Sequence, residues 1–416
     1  MMRRILPTAM ALLALLAAPL AAQVALPGVQ VPDPGGVLGG VTDTARDALR
    51  DVEASARREA AALLRARERD LSRLLRRNRD TIERDARGDL ARRGELLATG
   101  LDMALVPTLN KAGFTVLSSE RIEGLDLSVV RLGVPPELPL ADAEALARRL
   151  APGADISADN LHFQSGAAES AGGLAGTAAL QAASSIGVDV GVIDGAPGPS
   201  VRVLQTKGFA KGAPVASNHG SAVASLLKSA GATRIRVADV YGTDPAGGNA
   251  LAMAKGLGYL VAAGSRVITI SLVGPRNAVL EKAIAATQRK GVVVVAAVGN
   301  DGPAAPPAYP ASYPGVVAVT GVDKHGRALI EAGRALHLDY AAPGADVYGL
   351  DARGKPTKLR GTSFAAPLAA ARLAAALQAG GNWRRTLDAE TRDLGRKGPD
   401  PVFGRGLLCG GCAQKK

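Results

Sequence analysis

Four polar residues stand where apolar or small-residue runs meet loops, and their types suit a centre that generates and stabilises an oxyanion. Asp194 closes the run VGVID, and His219 follows Ser217-Asn218 to open HGSAVASLLKSAG. Asn300 follows VVVVAAVG, and Ser363 lies in RGTSFAAP, where a loop becomes a small-residue helix. A carboxylate at a strand end can be held by backbone donors and orient an imidazole. A hydroxyl at a helix start lies near amides that favour developing negative charge, and an asparagine amide can donate to an oxyanion. Singly, Asp-Gly, His-Gly and Gly-Thr-Ser read equally as turn, cap or helix start. Four such residues at element ends of one domain read as a site. The other histidines do not: His325 reads as a turn residue and His337 as a strand-side residue, and neither is assigned a metal.

The elements around these residues define the fold class. From position 186, near-continuous Val/Ile strands (188–194, 234–242, 266–272, 292–298) alternate with helices (219–231, 249–264, 277–291) and close on TSFAAPLAAARLAAALQAG. That pattern predicts an α/β domain over 186–395 with a mostly parallel sheet covered by helices on both faces. In such a sheet, sites lie at the carboxyl ends of the strands, where His219 is expected. Tyr309, Tyr313 and Trp383 read as packing anchors, and 396–416 as a C-terminal tail.

Upstream, 94–163 reads strand-helix-strand-strand-helix-strand, a small ferredoxin-like α+β module. Residues 41–98 carry 15 arginines and 12 acids with apolar residues at helical spacing, which predicts an amphipathic helix or helical hairpin, assigned to 41–93. It is expected to pack on its neighbour, dimerise or lie on an anionic surface. Residues 23–40 read as a loose linker, and the Gly/Ala/Ser-rich 164–185 as a flexible one open to proteolysis.

With these blocks in register, the chain resembles the subtilase (subtilisin-like serine peptidase) family. The resemblance rests on VGVIDGAP, NHGSAVA, ITISLVGP, VVVAAVGNDG and GTSFAAP, in the family's order Asp, His, Ser. It covers about 186–380, nearly half the chain, and the 94–163 module resembles the family's inhibitory propeptides by position and element order. The resemblance implies Ser363 as nucleophile, His219 as base, Asp194 as the group that fixes the imidazole, and Asn300 with the Ser363 amide as the oxyanion hole. It further implies that Ser271, Leu272, Val273 and Gly274 pair with an extended peptide, and that Ala296, Ala297 and Val298 line the primary specificity pocket. No cofactor is implied for the reaction; calcium is a common structural ion in the family, and no acid series here has binding spacing.

Three departures stand out. Gly195 and Ala196 follow the aspartate where relatives carry a hydroxyl residue and glycine, so one hydrogen bond near the carboxylate is expected to be missing. Val273 replaces a common glycine, and Leu368 a common histidine. None deletes a reacting group, so the expected function is a serine endopeptidase; the alternative is a catalytically impaired subtilase scaffold that binds protein.

Composition limits the rest. The chain has 416 residues, 47% hydrophobic and only 3% aromatic, with ample material for a core. Arg3 and Arg4 followed by the apolar run 8–22 read as a signal peptide over 1–22, which implies export to a periplasm or the outside, with no transmembrane span in the mature chain. Formal charge is −5 over 96–185 and +9 over 186–380, which suits two parts of one molecule touching better than nucleic acid binding. The expected partners are peptide or protein substrates and the chain's own N-terminal module. Self-cleavage is expected within 171–185. Cys409 and Cys412 are expected to form a late, exposed disulfide.

Overall fold

A computed structural model of the chain describes residues 43–164, 167–169 and 185–409. The expected signal peptide, the linker 23–40, most of 164–185 and Cys412 lie outside them. In chain order the first part comprises α1 (Asp43–Arg77), β1 (Ile82–Arg84), β2 (Leu90–Thr99), a 3-10 turn (Met103–Leu105), α2 (Val106–Lys111), β3 (Thr115–Arg121), β4 (Ser128–Gly133), α3 (Leu140–Leu150) and β5 (Asp155–Asn160). Two short strands follow, β6 (Phe163–Gln164) and β7 (Ala167–Glu169). The second part comprises β8 (Val190–Asp194), β9 (Gln205–Gly208), α4 (Asn218–Ser229), β10 (Ile235–Asp239), α5 (Ala250–Ala262), β11 (Val267–Ile270), β12 (Leu272–Val273), α6 (Ala278–Arg289) and β13 (Val293–Ala297). It ends with β14 (Val317–Val322), β15 (Tyr340–Pro343), β16 (Ala345–Leu350), β17 (Pro356–Arg360), α7 (Thr362–Ala379) and α8 (Trp383–Glu390).

The second part is built on a seven-stranded parallel sheet in the order β15-β14-β13-β11-β8-β10-β9. Alternating side chains serve two cores, as strand geometry requires. Val190, Val192, Val295 and Ala297 pack with α4 and α7, while Ile193, Val294 and Ala296 pack with α5 and α6. From β8 the chain builds β10 on one side and then β11 on the other, so the winding reverses at β8 and opens a crevice at its carboxyl end. Asp194 is the last residue of β8.

The N-terminal module is a five-stranded antiparallel sheet in the order β1-β2-β4-β3, with β5 also on β2. Leu96, Ala98, Val130 and Leu132 pack on α3, whereas Leu97 and Val129 face the other way into the core of α5 and α6. The module is thus a second layer on those two helices. The predicted helix over 41–93 is a single helix ending at Arg77, because 82–84 and 90–99 are strands. Leu71, Leu74 and Leu75 of α1 pack with Ile82, Leu90, Leu161, Phe163 and Ala246. Of the three roles expected for α1, packing on its neighbours is the one this face serves.

Acidic groups of the module meet lysines of the larger part: Glu120–Lys255 at 2.5 Å, Lys290–Asp126 at 3.3 Å, Lys207–Glu123 at 3.5 Å, and Lys282 with Asp155. Glycine allows the closest approach. A Cβ on Gly258 of α5 would lie 2.1 Å from the Glu123 carbonyl oxygen, which no side chain can tolerate. Cys409 is disulfide-bonded and only 5% exposed, so its end of the bridge is buried against the α7 core rather than exposed. Trp383 packs at the edge of that core, and the rings of Tyr309 and Tyr313 meet at 4.7 Å, tilted by 53°.

Candidate active site

Asp194 is fully buried and each carboxylate oxygen has a donor. Oδ2 lies 2.8 Å from His219 Nδ1, and Oδ1 accepts from the Gly195 amide at 2.7 Å and from Gln164 Nε2 at 2.9 Å. A carboxylate on Nδ1 fixes the tautomer with a proton there, leaving Nε2 as the base. His219 Nε2 is buried and has no hydrogen-bond partner among the described residues. The ring is placed from both sides. Ser217 caps α4 by accepting from the Gly220 amide at 2.9 Å, and the Phe364 ring lies 5.4 Å away.

Ser363 stands one residue inside α7, whose N-cap Gly361 has φ 141° and so needs a glycine. The hydroxyl donates to the Ser271 carbonyl at 3.0 Å, and the Ser271 hydroxyl donates to the Ser363 carbonyl at 2.8 Å. The nucleophile candidate is therefore seated against the end of β11, with a short turn of χ1 between that position and others. Asn300 Oδ1 accepts from the Thr362 amide at 3.0 Å, which leaves Nδ2 as the donor of its side chain. This places Asn300 one residue from Ser363 and ties the two together.

The cleft between β12 and the Gly248–Asn249 turn holds a strand of the chain itself. Gln164 pairs with Leu272 and Phe163 with Val273, antiparallel, while His162 N–H donates to the Gly248 carbonyl at 2.9 Å and Leu161 bridges to Asn249. Further on, Ala167 pairs with Arg360, three residues before Ser363. Gln164 and Ala167 are three positions apart in sequence; the partner of the first, Leu272, follows Ser271, which holds Ser363, and the partner of the second, Arg360, lies three residues before Ser363. An extended peptide bound main chain to main chain would take this course.

The expected edge residues Leu272 and Val273 pair with β6, while Ser271 holds Ser363 and Gly274 pairs with Tyr309. Ala296, Ala297 and Val298, expected to line the primary specificity pocket, run from β13 toward Asn300. They are at most 1% exposed and packed in the two sheet cores, because strand alternation sends each to a layer of helices. Gly299 is the residue that meets the Val273 side chain. Sequence reasoning missed Gln164, which reads only as the start of a linker; its neighbour in the fold, Gly195, carried the signal of a missing donor. It also missed Leu63 and Arg67 of α1. Leu63 packs at Gly302 and Arg67 pairs with Asp301 at 2.8 Å, beside Asn300. Among the described residues no group of three or more His, Cys, Asp or Glu is placed to hold a metal ion, and no helix is long and apolar enough to cross a membrane.

A buried carboxylate–imidazole pair, a serine at a helix start and an adjacent amide donor together can perform acyl transfer. Comparison with known proteins points the same way. Residues 200–398 match the model of the subtilase family. The match includes His219, Asn300 and Ser363 and begins after Asp194, whose place in the site rests on its geometry. Subtilisin BL of Lederbergia lenta is 30% identical over 243 residues, covering 53% of this chain and 88% of that protein. Thermitase of Thermoactinomyces vulgaris is 34% identical over 156 residues, 37% of this chain and 54% of that protein. In fold, the chain is similar to fervidolysin of Fervidobacterium pennivorans, with a TM-score of 0.64 at 19% identity over 77% of this chain and 60% of that one. The chain belongs to the subtilase family of serine endopeptidases.

Proposed function

We propose that the protein is an exported serine endopeptidase, made as a precursor whose N-terminal residues occupy and block its own cleft. The observation that carries this reading is the Asp194–His219 contact at 2.8 Å beside Ser363, with β6 paired along β12 as a substrate would be. In the reaction, Ser363 Oγ bonds to the peptide carbonyl carbon while its proton passes to His219 Nε2. Asp194 stabilises the resulting imidazolium. Asn300 Nδ2 and the Ser363 amide take the charge on the carbonyl oxygen. The C–N bond then breaks, the leaving amine takes the proton from His219, and water releases the acyl group by the same route. Because main-chain pairing carries the binding, peptide and unstructured protein substrates are expected, with no nucleic acid partner.

The precursor's own cut is assigned between Gln164 and Ala167, rather than within 171–185, since Gln164 pairs next to Ser271, which holds Ser363, and Ala167 pairs three residues before Ser363. The test is the secreted product. Its N-terminus should fall at 165–167 in the wild type, and Ser363→Ala should accumulate intact precursor. A Ser363→Ala protein processed at the same bond and rate in a purified system would transfer the cut to another protease. A fluorophosphonate probe on the processed protein separates the remaining reading: labelling at Ser363 supports the enzyme, and none after complete removal of the N-terminal residues supports a binding scaffold.

A further inference from the structure

We propose that Asp194 is also a specificity group: its Oδ1 reads a side-chain amide on the substrate residue that pairs with Leu272, so that cleavage favours glutamine one residue before the acyl donor. The inference rests on the peptidase reading of this site and adds a determinant to it.

Gln164 lies on the peptide course, paired with Leu272, and its side chain turns inward to donate from Nε2 to Asp194 Oδ1 at 2.9 Å. Position 195, beside this contact, is closed to a side chain by Ser217, whereas a Cβ there would lie 3.7 Å from Gln164 Nε2, an ordinary contact. The same Cβ would lie 2.7 Å from Ser217 Oγ and 2.8 Å from Ser217 Cβ. Ser217 cannot yield without losing the cap on α4 that places His219. Gly195 and Ser217 are thus matched, and the donor that a hydroxyl at 195 would supply must come from elsewhere. In the precursor Gln164 supplies it.

Continuing the ladder by one residue sets the next residue of a bound peptide opposite Ser271, against which Ser363 is seated. The residue at the Leu272 position is therefore penultimate to the bond cut. A glutamine there restores the buried hydrogen bond to a charged acceptor. Leucine or alanine leaves Oδ1 with the Gly195 amide as its one remaining donor among the described residues, and glutamate sets a second carboxylate against the first. Asparagine is one methylene short of the reach Gln164 uses.

The test uses the processed protein and peptides that differ only at the penultimate residue. Glutamine should exceed alanine and leucine by about tenfold in kcat/KM, which corresponds to about 1.4 kcal/mol. Asparagine should fall between them, and glutamate should be the poorest, recovering as pH falls into the carboxylate range. In the precursor, Gln164→Leu should slow self-cleavage by a similar factor. Glutamine, alanine and leucine peptides cut within twofold of one another would overturn the specificity role and leave the peptidase standing. No cleavage of any peptide, with the protein shown to be folded, would overturn both.

Discussion

Asp159 of β5 accepts a hydrogen bond at 3.0 Å from the Leu251 amide in the first turn of α5, so a carboxylate of the module caps a helix of the catalytic part. It is 1% exposed, and burial raises its pKa to about 7, against the pull of the Leu251 amide and Arg92. His162, two residues beyond β5, is fully buried with neither ring nitrogen hydrogen-bonded among the described residues, and burial lowers its pKa to about 4. The signs oppose. Asp159 takes up a proton on docking, so its contribution improves as pH falls from about 7 toward its free value of 3.8. His162 loses a proton on docking, so its contribution worsens as pH falls from 6.5 toward about 4. Between about 4 and 6.5 the two offset, and module affinity should change little with pH. Asp159→Asn keeps the acceptor for Leu251 and removes the proton uptake, so affinity should weaken with acid. His162→Leu should make it strengthen with acid. Inhibition constants of the cleaved module measured from pH 5 to 7.5 check both, and parallel profiles for the two variants would refute the assignment.

Gly258 tests the interface by sterics alone. Gly258→Ala forces a Cβ into the Glu123 carbonyl, yet alanine favours helix α5 by about 0.8–1.0 kcal/mol over glycine. The processed enzyme should keep or slightly raise its melting temperature. Inhibition by the cleaved module should weaken at least about tenfold, since the clash is with backbone and the turn must shift. Unchanged inhibition would mean that the turn at 123–124 is not part of the binding surface.

The central strands β8, β11 and β13 are legible because burial on both faces leaves them mostly Val, Ile and Ala, and they lie where the apolar runs put them. Other elements give no such signal. The run LARRGELLAT of β2 has apolar residues at spacings that suit helix and strand alike, so the boundary expected at 93/94 cuts it and leaves only GELLAT in the strand. β6 is two residues long and β9 is QTKG, and both exist only through their pairing partners. At the site, residue type and element ends marked Asp194, His219, Asn300 and Ser363. The burial of Ala296, Ala297 and Val298 and the reach of Gln164 to Asp194 depend on tertiary placement, which periodicity does not encode.

Loss of the amide donor should be read in kcat. Asn300→Ala removes Nδ2 and also frees the Thr362 amide that Oδ1 accepts from. The asparagine of subtilisin, a member of the same family, sets the scale at about 10²–10³ in kcat. A comparable fall is expected here with KM nearly unchanged, because the charge develops only in the transition state. Ser363→Ala should abolish turnover and leave the melting temperature within a few degrees. A rise in KM at constant kcat for Asn300→Ala would place the residue in ground-state binding instead.

The charge asymmetry predicts how the module should bind when added to the larger part. Glu120, Asp126 and Asp155 meet Lys255, Lys290 and Lys282 at the rim, where all are about a third or more exposed. Exposed pairs contribute little to affinity and are screened over about 8 Å at physiological salt, but they steer encounter. The holding contacts are apolar: Leu97, Ile122, Leu125 and Val129 enter the core of α5 and α6. Added segment 43–164, which retains β1 and all of β2, should therefore inhibit processed enzyme with an onset that slows as salt rises. Its inhibition at saturation should persist. Charge reversal of Lys255 and Lys290 to Glu should slow onset about tenfold at low salt and converge with the wild type at high salt. A loss of saturating inhibition with salt would show that ion pairs, not the apolar face, hold the module. No inhibition at any concentration, with the segment shown to be folded and uncut, would remove the blocking role proposed for it.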